Sequence, residues 1–505
     1  MRSKRSRPES VTPSTFGARR GPGDEAGPVK EGEFEVKRIV IFGATGDLTA
    51  RYLIPALAKL YEAGRLPSGI KIIGVDRREW KNDKNGFRRL MLDSLERHAG
   101  GVSANARARM VTEVLEYRRA DVTDARSVTS ALKPLTEPIL AYLALPPAVF
   151  APTLEALKGA GMPEGSRVAI EKPFGVNLES AQSLNRLLHE FLPEGAIFRI
   201  DHFLAWQPFP TIMGLRFANG ILEPLWDRNY IERVEILWEE TLALEGRAGY
   251  FDHAGAFKDL IQNHLLQLLC LTAMEAPTAL HRRNLRDRKV DVLRAIRRLS
   301  PEEAKTHTVR ARYGAGRIGE KQIPAYTAEE GVDPSRGTET FAQVTLMIDN
   351  LRWAGVPFVL RGGKALSHFR GEIAVHFKAV PHLAFQRADH PRPNVLRVRL
   401  GPDRVTLNLN VNGPYDPFDL ESIELGADFA PQEFFAAYER LFFDLLEGNT
   451  TLFVRADEAE ESWRVAAPIL DAWEKELVPL LEYPAGSEGP GEAAFPPQRV
   501  GVAEK

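Results

Sequence analysis

A loop with two glycines, between a strand-like run and a helical run, limits the possible folds of this chain more than any other feature. Residues 36–43 read VKRIVIFG, and residues 48–64 read LTARYLIPALAKLYEAG, which ends in a glycine typical of helix termini. The loop residues are Gly43, Ala44, Thr45, Gly46, Asp47 and Leu48. Backbone N–H groups in such a loop and at the following helix N-terminus can bind a pyrophosphate, which predicts a dinucleotide site. Because the spacing is Gly-x-x-Gly and not Gly-x-Gly-x-x-Gly, a tight turn without a ligand is the alternative.

The first third of the chain repeats this strand and helix alternation. Apolar runs KIIGVDR, ILAYLALPP and RVAIEKPFG are separated by helical stretches, which predicts a Rossmann-like parallel sheet (α/β). After about residue 205 the runs show alternation and turn dipeptides, as in residues 231–244 and 394–411. We therefore expect a larger C-terminal α+β domain built on a mostly antiparallel sheet.

The chain of 505 residues is long enough for two domains, at roughly 100–200 residues each. We predict a dinucleotide-binding domain over 35–205 and a substrate-binding and oligomerisation domain over 206–483. Both ends of the chain are rich in Pro, Gly and charged residues, which predicts disordered tails over 1–34 and 484–505.

Charge and cysteine content restrict the partners and the compartment. With 66 Lys and Arg against 68 Asp and Glu, the net charge of −2 gives no global attraction to nucleic acid or to an anionic membrane. No apolar run reaches the roughly 18 residues of a membrane span. Cys270 is the single cysteine and lies in an apolar run, which indicates a buried thiol in a reducing cytoplasm. We expect a cytoplasmic protein with small-molecule partners and no metal.

The end of the second predicted strand bears on cofactor choice. Asp76 stands about where a carboxylate would accept hydrogen bonds from a ribose, and Arg77 follows, where a guanidinium could pair with a 2′-phosphate. Asp76 would repel the phosphate that Arg77 attracts, so the pair favours NAD or combined NAD and NADP use. A surface ion pair with no cofactor role is the alternative.

Two Asp and His pairs are candidates for proton transfer. Asp201 and His202 end a strand-like run, where neighbouring side chains face opposite ways unless the chain bends. Asp259 and His264 lie on a strongly helical run, about 140° apart on an α-helix. A base needs an orienting carboxylate, and Asp201 serves His264 only if the fold brings them together. A buried histidine of the core is the alternative for His264.

Taken together, these motifs resemble the glucose-6-phosphate dehydrogenase family over residues 36 to about 480. The motifs occur in the family's order: GATGDL from Gly43, LALPP from Leu143, EKPFG from Glu171, RIDHFL, LRFANGI, EGRAGYFD, QNHLLQ, DNLRWAGVPF, GKAL and TLFVR. The resemblance implies oxidation of C1 of D-glucose 6-phosphate to 6-phospho-D-glucono-1,5-lactone with NAD(P)⁺, the entry step of the oxidative pentose phosphate pathway. It implies NADP as the cofactor, and a homodimer or homotetramer.

The resemblance also assigns roles to individual residues. His264 matches the general base, and Asp201 matches the carboxylate that orients it. Lys172 matches the lysine between sugar and nicotinamide. The other sugar contacts that it implies are the carboxylates Glu240 and Asp259 and the cations His202 and Lys364, with His202 in the phosphate pocket. Arg77 matches the arginine that binds the 2′-phosphate, whereas the position of Asp76 is usually small and uncharged in the family.

The chain departs from the family where the sugar phosphate should bind. The family pattern DHYLGK reads DHFLAW here, so Phe203 replaces a tyrosine and Trp206 replaces a lysine. The loss of two charge-assisted hydrogen bonds should weaken phosphate binding about 10²-fold unless another cation, such as Arg370, substitutes. A sugar without this phosphate, held on an aromatic surface, is one alternative function. A catalytically inactive nucleotide-binding regulator is another, and core packing is the alternative role for Trp206.

Overall fold

A computed structural model describes residues 36–80, 85–133, 135–206, 208–246, 248–385, 391–401, 403–414, 418–428 and 437–491. The first sheet has six strands, β1 to β6 in chain order: Arg38–Phe42, Lys71–Asp76, Leu115–Arg119, Ile139–Leu143, Arg167–Ile170 and Ile197–Arg199. All are parallel, in the order β3-β2-β1-β4-β5-β6. The almost continuous apolar runs of β1 and β4 are buried, as in a sheet covered on both faces. The predicted Rossmann-like sheet is confirmed.

Helices cover both faces of this sheet. They are α1 to α6 in chain order: Ile54–Glu62, Gly86–His98, Ala104–Arg109, Ala125–Leu132, Phe150–Ala160 and Leu178–His189. A π-helical segment, Thr49–Leu53, precedes α1, and another, Met110–Val114, follows α3. The order of strands reverses between β1 and β4, so their carboxyl ends open a crevice beside the glycine loop.

The second sheet is larger and mixed. Its strands and those of a small hairpin are β7 to β17 in chain order: Ile231–Glu239, Thr308–Gly314, Gly316–Ile318, Lys321–Ile323, Phe341–Met347, Pro357–Gly363, Arg370–Phe377, Val395–Leu400, Asp403–Asn412, Leu420–Asp428 and Leu480–Pro484. Nine of them form one sheet in the order β16-β15-β14-β13-β7-β12-β11-β8-β17, and β9 pairs with β10. Two neighbouring pairs, β7 with β12 and β8 with β17, are parallel and the others antiparallel. The expected mostly antiparallel sheet is therefore confirmed.

Seven helices accompany this sheet in the described part of the chain. They are α7 to α13: Pro208–Phe217, Ala248–Ala256, Leu266–Ala273, Arg282–Ala295, Pro301–His307, Ala437–Glu447 and Ala456–Glu474. Between α8 and α9, residues Phe257–Leu265 form a π-helical segment. No helix of the described residues is long and apolar enough to cross a lipid bilayer.

One helix of the predicted second domain packs against the first. The buried face of α12 joins the core of the parallel sheet, where the rings of Phe442 and Tyr142 lie 5.5 Å apart. Phe453 packs edge-on against Phe198 of β6 at 4.9 Å. The chain therefore returns to the first domain after residue 436. The predicted boundary between residues 205 and 206 had assigned this helix to the second domain.

The packed chain also extends beyond the predicted start of the C-terminal tail. Strand β17 runs to Pro484, and Ala485 is buried. The N–H of Gly486 donates to the carbonyl of Ala365 at 2.8 Å, so these residues continue along the sheet as far as the described chain, residue 491. Residues 484–491 therefore differ from the predicted tail, because Pro484 pairs with Gly314 of β8 and the following residues are hydrogen-bonded to residues 365–367. The predicted tail residues 1–34 and 492–505 lie outside the described residues.

Candidate active site

The glycine loop follows β1 and lies against the ends of its two neighbouring strands. The N–H groups of Gly43 and Ala44 donate to the carbonyl of Val75 at 3.0 and 3.3 Å. Gly43 has a φ of +85°, and a Cβ there would lie 2.2 Å from the carbonyl oxygen of Ala144. Only glycine permits this approach. The loop therefore turns tightly at the crevice, and a helical run starts directly after it at Asp47.

Asp76 at the end of β2 clamps this loop. Its Oδ2 accepts hydrogen bonds from the backbone N–H of Thr45 at 3.1 Å and from the Thr45 hydroxyl at 2.9 Å. Arg77 and Arg78 follow and are exposed, and the Arg78 guanidinium lies 4.3 Å from the ring centre of Trp80. The sequence placed Asp76 and Arg77 at the cofactor end of the crevice, but it did not indicate the bond between Asp76 and Thr45, whose partners are 31 residues apart.

The fold brings Asp201 and His264 into contact. Asp201 follows β6, His264 lies on the π-helical segment, and the imidazole Nδ1 is hydrogen-bonded to Asp201 Oδ1. Their exposed fractions are 3% and 1%. Asp201 Oδ1 also accepts from the N–H of Phe203 at 3.1 Å, which caps a short 3₁₀ turn over His202–Ala205. The chain thus bends at Asp201, as it must for Asp201 and His202 to serve one site.

The charges of this pair follow from its burial and its contact. Burial lowers the pKa of His264, and the Asp201 carboxylate offsets this only in part, so the pKa stays below its ordinary value. Burial alone would raise the pKa of Asp201, but His264 holds it below its ordinary value. At neutral pH the imidazole is therefore neutral, with its Nδ1 proton on the carboxylate side and the Nε2 lone pair able to accept a proton.

The π-helical segment corrects the expected separation of Asp259 and His264. We expected them about 140° apart because that is the angle across five residues of an α-helix. In a π-helix the hydrogen bonds join residues five apart, so Asp259 and His264 lie one above the other on the same side. Hydrophobic spacing does not distinguish the two helix types, so the sequence could not have shown this.

Lys172 connects the parallel-sheet domain to this segment. It follows β5, and its Nζ donates to Asp259 Oδ1 at 2.7 Å and to the Asp259 carbonyl at 2.9 Å. Burial would raise the pKa of Asp259, yet Lys172 lowers it to about 2. Burial likewise acts to lower the pKa of Lys172, but Asp259 keeps it above its ordinary value. Both groups are therefore charged at neutral pH.

A second ion pair joins the carboxyl ends of β7 and β12. Lys364 Nζ donates to Glu240 Oε2 at 2.5 Å, and the indole N–H of Trp238 donates to Glu240 Oε1 at 3.0 Å. The N–H of Glu240 also donates to the carbonyl of Gly363 at 2.8 Å. The positive charge of Lys364 helps to lower the pKa of Asp259, so the two ion pairs belong to one site. The structure thus brings together all of the predicted sugar contacts and the dyad.

His202 lies beside the dyad but is not a cation there. Its ring centre is 5.0 Å from that of His264, and it stacks on Tyr438 of α12 at 5.6 Å. Burial and the nearby His264 lower its pKa to about 3 despite Asp201. The implied cationic contact is therefore a neutral imidazole in this structure. Tyr438 was missed because it reaches the site only through the return of α12 to the first domain.

The two substituted positions belong to an aromatic cluster next to His264, which consists of Phe203, Trp206, Trp238 and Phe369. The ring of Phe203 stacks on His264 with centres 3.8 Å apart and planes 8° apart. Trp238 lies 4.6 Å from Phe203, 5.7 Å from Trp206 and 5.2 Å from Phe369. The sequence singled out Phe203 and Trp206 but missed Trp238 of β7 and Phe369, which directly precedes β13.

Arg370, the candidate replacement for the missing cation, is held by a neighbour. Its Nε and Nη2 donate to Glu372 Oε1 at 3.0 and 2.7 Å. The charge of Arg370 is therefore compensated on the second sheet.

Comparison with known families agrees with this architecture. Residues 40–208 match the family model described as "Glucose-6-phosphate dehydrogenase, NAD binding domain", and residues 213–501 match "Glucose-6-phosphate dehydrogenase, C-terminal domain". Together the two models span both sheets and the crevice between them.

Similar proteins of known name or structure cover nearly the whole chain. Glucose-6-phosphate 1-dehydrogenase of Treponema pallidum (strain Nichols) is 38% identical, over 90% of this chain and 92% of the relative. That of Mycolicibacterium smegmatis is 39% identical, over 92% and 96%. A crystal structure of the Mycobacterium avium protein has a TM-score of 0.78 at 35% identity, covering 91% and 96%. A structure of glucose-6-phosphate dehydrogenase in complex with its substrate has a TM-score of 0.80 at 32% identity, with the same coverage. The chain therefore belongs to the glucose-6-phosphate dehydrogenase family.

Proposed function

We propose that this chain oxidises C1 of glucose 6-phosphate to 6-phospho-D-glucono-1,5-lactone, as its relatives' names imply, with His264 as the general base. The observation that carries the proposal is the buried contact between Asp201 and His264 beside the crevice. A neutral imidazole whose far nitrogen is held by a carboxylate presents its other nitrogen as a proton acceptor. No other group near the crevice combines these properties among the described residues.

The base and its surroundings suit the removal of a proton from a sugar hydroxyl. A bound nicotinamide dinucleotide supplies the hydride acceptor. His264 Nε2 takes the C1 hydroxyl proton, and Asp201 stabilises the imidazolium that forms. Asp259 and Glu240 offer carboxylate oxygens to sugar hydroxyls, while Lys172 and Lys364 keep those carboxylates charged and in place. Burial keeps water from competing for these contacts.

For the cofactor we propose use of both NAD and NADP. The Asp76 carboxylate accepts hydrogen bonds from the N–H and hydroxyl of Thr45, so these donors are not available to a ligand. Its negative charge lies beside the cofactor end of the crevice and disfavours a 2′-phosphate there. The exposed guanidinium groups of Arg77 and Arg78 attract the same phosphate. The two effects oppose each other within three consecutive residues, so we expect only a modest preference between the two dinucleotides.

A matrix of substrates and cofactors tests the proposal directly. Formation of reduced dinucleotide is measured with glucose and glucose 6-phosphate, each with NAD and NADP. His264→Ala should lower kcat about 10²–10⁴-fold. His253→Ala is the matched control, because His253 is exposed on α8 and should leave kcat unchanged. If His264→Ala leaves the rate unchanged, His264 is not the general base. Tight dinucleotide binding without oxidation of any aldose would favour an inactive nucleotide-binding regulator.

The aromatic cluster favours a second candidate, the same reaction on an aldose without the 6-phosphate. Phe203 and Trp206 replace a hydroxyl and a cation, and His202 is neutral, so the pocket has lost positive charge. Aromatic faces bind the apolar faces of sugar rings. A kcat/KM for glucose that exceeds that for glucose 6-phosphate would favour this candidate. Trp206→Lys should then lower the KM for glucose 6-phosphate about tenfold by restoring a charge-assisted bond.

We also propose a homodimer or homotetramer located in the cytoplasm. The outermost strand of the second sheet, β16, is exposed along most of its length and presents Ile423 and Leu425, with Phe418 just before it. Such an edge is usually covered in the assembled protein. Light scattering of the purified chain should give two or four times 56.3 kDa. The buried, unpaired thiol of Cys270 suits a reducing compartment.

A further inference from the structure

A small cavity with apolar and polar lining residues lies against Asp201, and His264 is not among the residues that line it. It offers about 40 Å³ to the centres of water molecules, which is room for more than one, since each needs roughly 10–15 Å³. The polar side chains of its wall come from β6, the π-helical segment, α9 and α13 and from the residues after β5 and β6. They include Glu171, Arg199, Asp201, Gln262, Gln267 and Ser462. Most of this wall is buried.

Two acceptor atoms in this wall lack donors. Asp201 Oδ2 and Gln267 Oε1 accept no hydrogen bond within the described part of the chain, although the two residues are only 3% and 2% exposed. The other carboxylate oxygen, Oδ1, accepts from both His264 and the N–H of Phe203. A buried acceptor without a donor costs about 1–3 kcal/mol, so a donor is expected at each.

Two neighbouring donors of the wall, Arg199 and Ser462, are used elsewhere. The Arg199 guanidinium donates to Asn185 Oδ1 at 3.0 and 2.7 Å and to Glu194 at 2.9 Å. The Ser462 hydroxyl donates to the carbonyl of Glu458 at 2.8 Å. Water has two donor hydrogens and fits the cavity, so it can satisfy both acceptors where these side chains do not.

We propose that Gln267 is a positioning residue of the dyad, which fixes water in this cavity so that the water donates to Asp201 Oδ2. The proposal rests on the proposed function for its catalytic meaning. Water bound between Gln267 Oε1 and Asp201 Oδ2 holds the carboxylate in the orientation that His264 requires. Gln267 and Asp201 line the same cavity, whose lining residues do not include His264.

The water also affects the basicity of His264. Several charged or titratable groups face the dyad: Glu171 and Lys172 after β5, Arg199 on β6, His202 next to Asp201, and Asp259 on the π-helical segment. These stay in place when Gln267 changes. A donor to Asp201 Oδ2 stabilises the bare carboxylate most while the imidazole is neutral, so its loss favours protonation of His264. The acid limb of the pH profile should therefore move to higher pH.

Substitution of Gln267 in the full-length chain tests this role. Gln267→Met keeps the length of the side chain and removes its polar atoms. With glucose 6-phosphate we expect a kcat about tenfold lower, unchanged KM values, and an acid limb of kcat/KM shifted upward by about half a pH unit or more. Thr272→Val is the control, because it removes a different buried polar group of α9, a hydroxyl that donates only within its own helix. It should leave kcat and the pH profile unchanged. A Gln267→Met enzyme with the wild-type kcat and pH profile would overturn the proposal.

A high-resolution crystal structure of the wild-type chain tests the water itself and does not depend on turnover or on the folding of a variant. Water within hydrogen-bond distance of both Gln267 Oε1 and Asp201 Oδ2 would support the proposal. A dry cavity, or a Gln267 amide that donates directly to Asp201, would overturn it. If the water is present but the wild-type chain oxidises no sugar phosphate, the water site stands and only the proposed reaction fails.

Discussion

The cofactor end and the sugar end of the crevice are built in opposite ways. The cofactor end is one continuous loop, Gly43 to Leu48, with a single clamp from Asp76 and exposed arginines beside it. The sugar end combines side chains that follow the ends of β5, β6, β7 and β12 with side chains of the π-helical segment. Most of its ionic groups are buried. Dinucleotide binding mainly needs backbone N–H groups next to solvent, whereas proton transfer needs a base held rigidly away from water.

Two aspartates show the contrast in a single residue type. Asp76 and Asp201 stand at or after the carboxyl end of a parallel strand, and the carboxylate of each accepts hydrogen bonds from the protein: three at Asp76 and two at Asp201. Asp76 is partly exposed and holds a loop, and Asp201 is buried and holds His264, the proposed base. Replacement by asparagine should therefore affect the kinetics very differently at the two positions.

The largest effect is expected at the sugar end, from Asp201→Asn. The amide can keep the contact with Nδ1 but no longer stabilises an imidazolium, so kcat on glucose 6-phosphate should fall about 10²–10⁴-fold with little change in KM. Steady-state kinetics measures it. A fall smaller than that of Asp76→Asn would break the comparison between the two ends.

Lys172→Met should give the next largest effect, on stability. It leaves the Asp259 carboxylate, which is only 16% exposed, without its partner and should cost about 3 kcal/mol in the free energy of unfolding. Denaturant unfolding at neutral pH measures it. Lys158→Met is the control, because its ion pair with Glu190 is exposed and should contribute little to the free energy of unfolding. Equal losses in the two variants would show that the sugar-end ion pair is not specially protected from water.

Asp76→Asn should act on cofactor preference and not on the chemical step. Removal of the negative charge should raise the ratio of kcat/KM for NADP over NAD about tenfold, because the repulsion between Asp76 and the 2′-phosphate of NADP is lost. The kcat values should change less than about threefold. Parallel titrations with the two dinucleotides measure the ratio, and an unchanged ratio would mean that Asp76 only maintains the loop.

The smallest effect concerns Glu171, beside Lys172. Its burial outweighs the hydrogen bond from Tyr142 and raises its pKa from 4.5 to about 7. The folded protein thus holds this proton more tightly than the unfolded chain, and stability falls as pH rises from about 4.5 to 7. Glu171→Gln should add about 1 kcal/mol at pH 8 and nothing at pH 5, because the weaker bond from Tyr142 offsets part of the gain. Thermal unfolding at both pH values measures this, and an equal gain at pH 5 would exclude the titration as its cause.

The sequence predicted the parts that depend on short stretches. The glycine loop, the parallel sheet and the candidate residues Asp201, His264 and Lys172 were found from local patterns and from motifs in a familiar order. The clamp of Asp76 on Thr45, the return of α12 to the first domain and the aromatic partners Trp238 and Phe369 were not. Each of these contacts joins segments that are far apart in the chain. The hydrophobic periodicity of a short segment does not predict such a contact.

By itself, the sequence determined where the strands, the loop and the chemically active side chains occur along the chain, because strand and turn propensities and glycine's tolerance of positive φ act over a few residues. Only the tertiary structure decided that the imidazoles of His264 and His202 are both neutral at neutral pH, and that Asp259 lies on the same side as His264. Those properties arise from burial and from contacts between distant segments, and a side chain's proton affinity depends on its surroundings and not on its sequence neighbours alone.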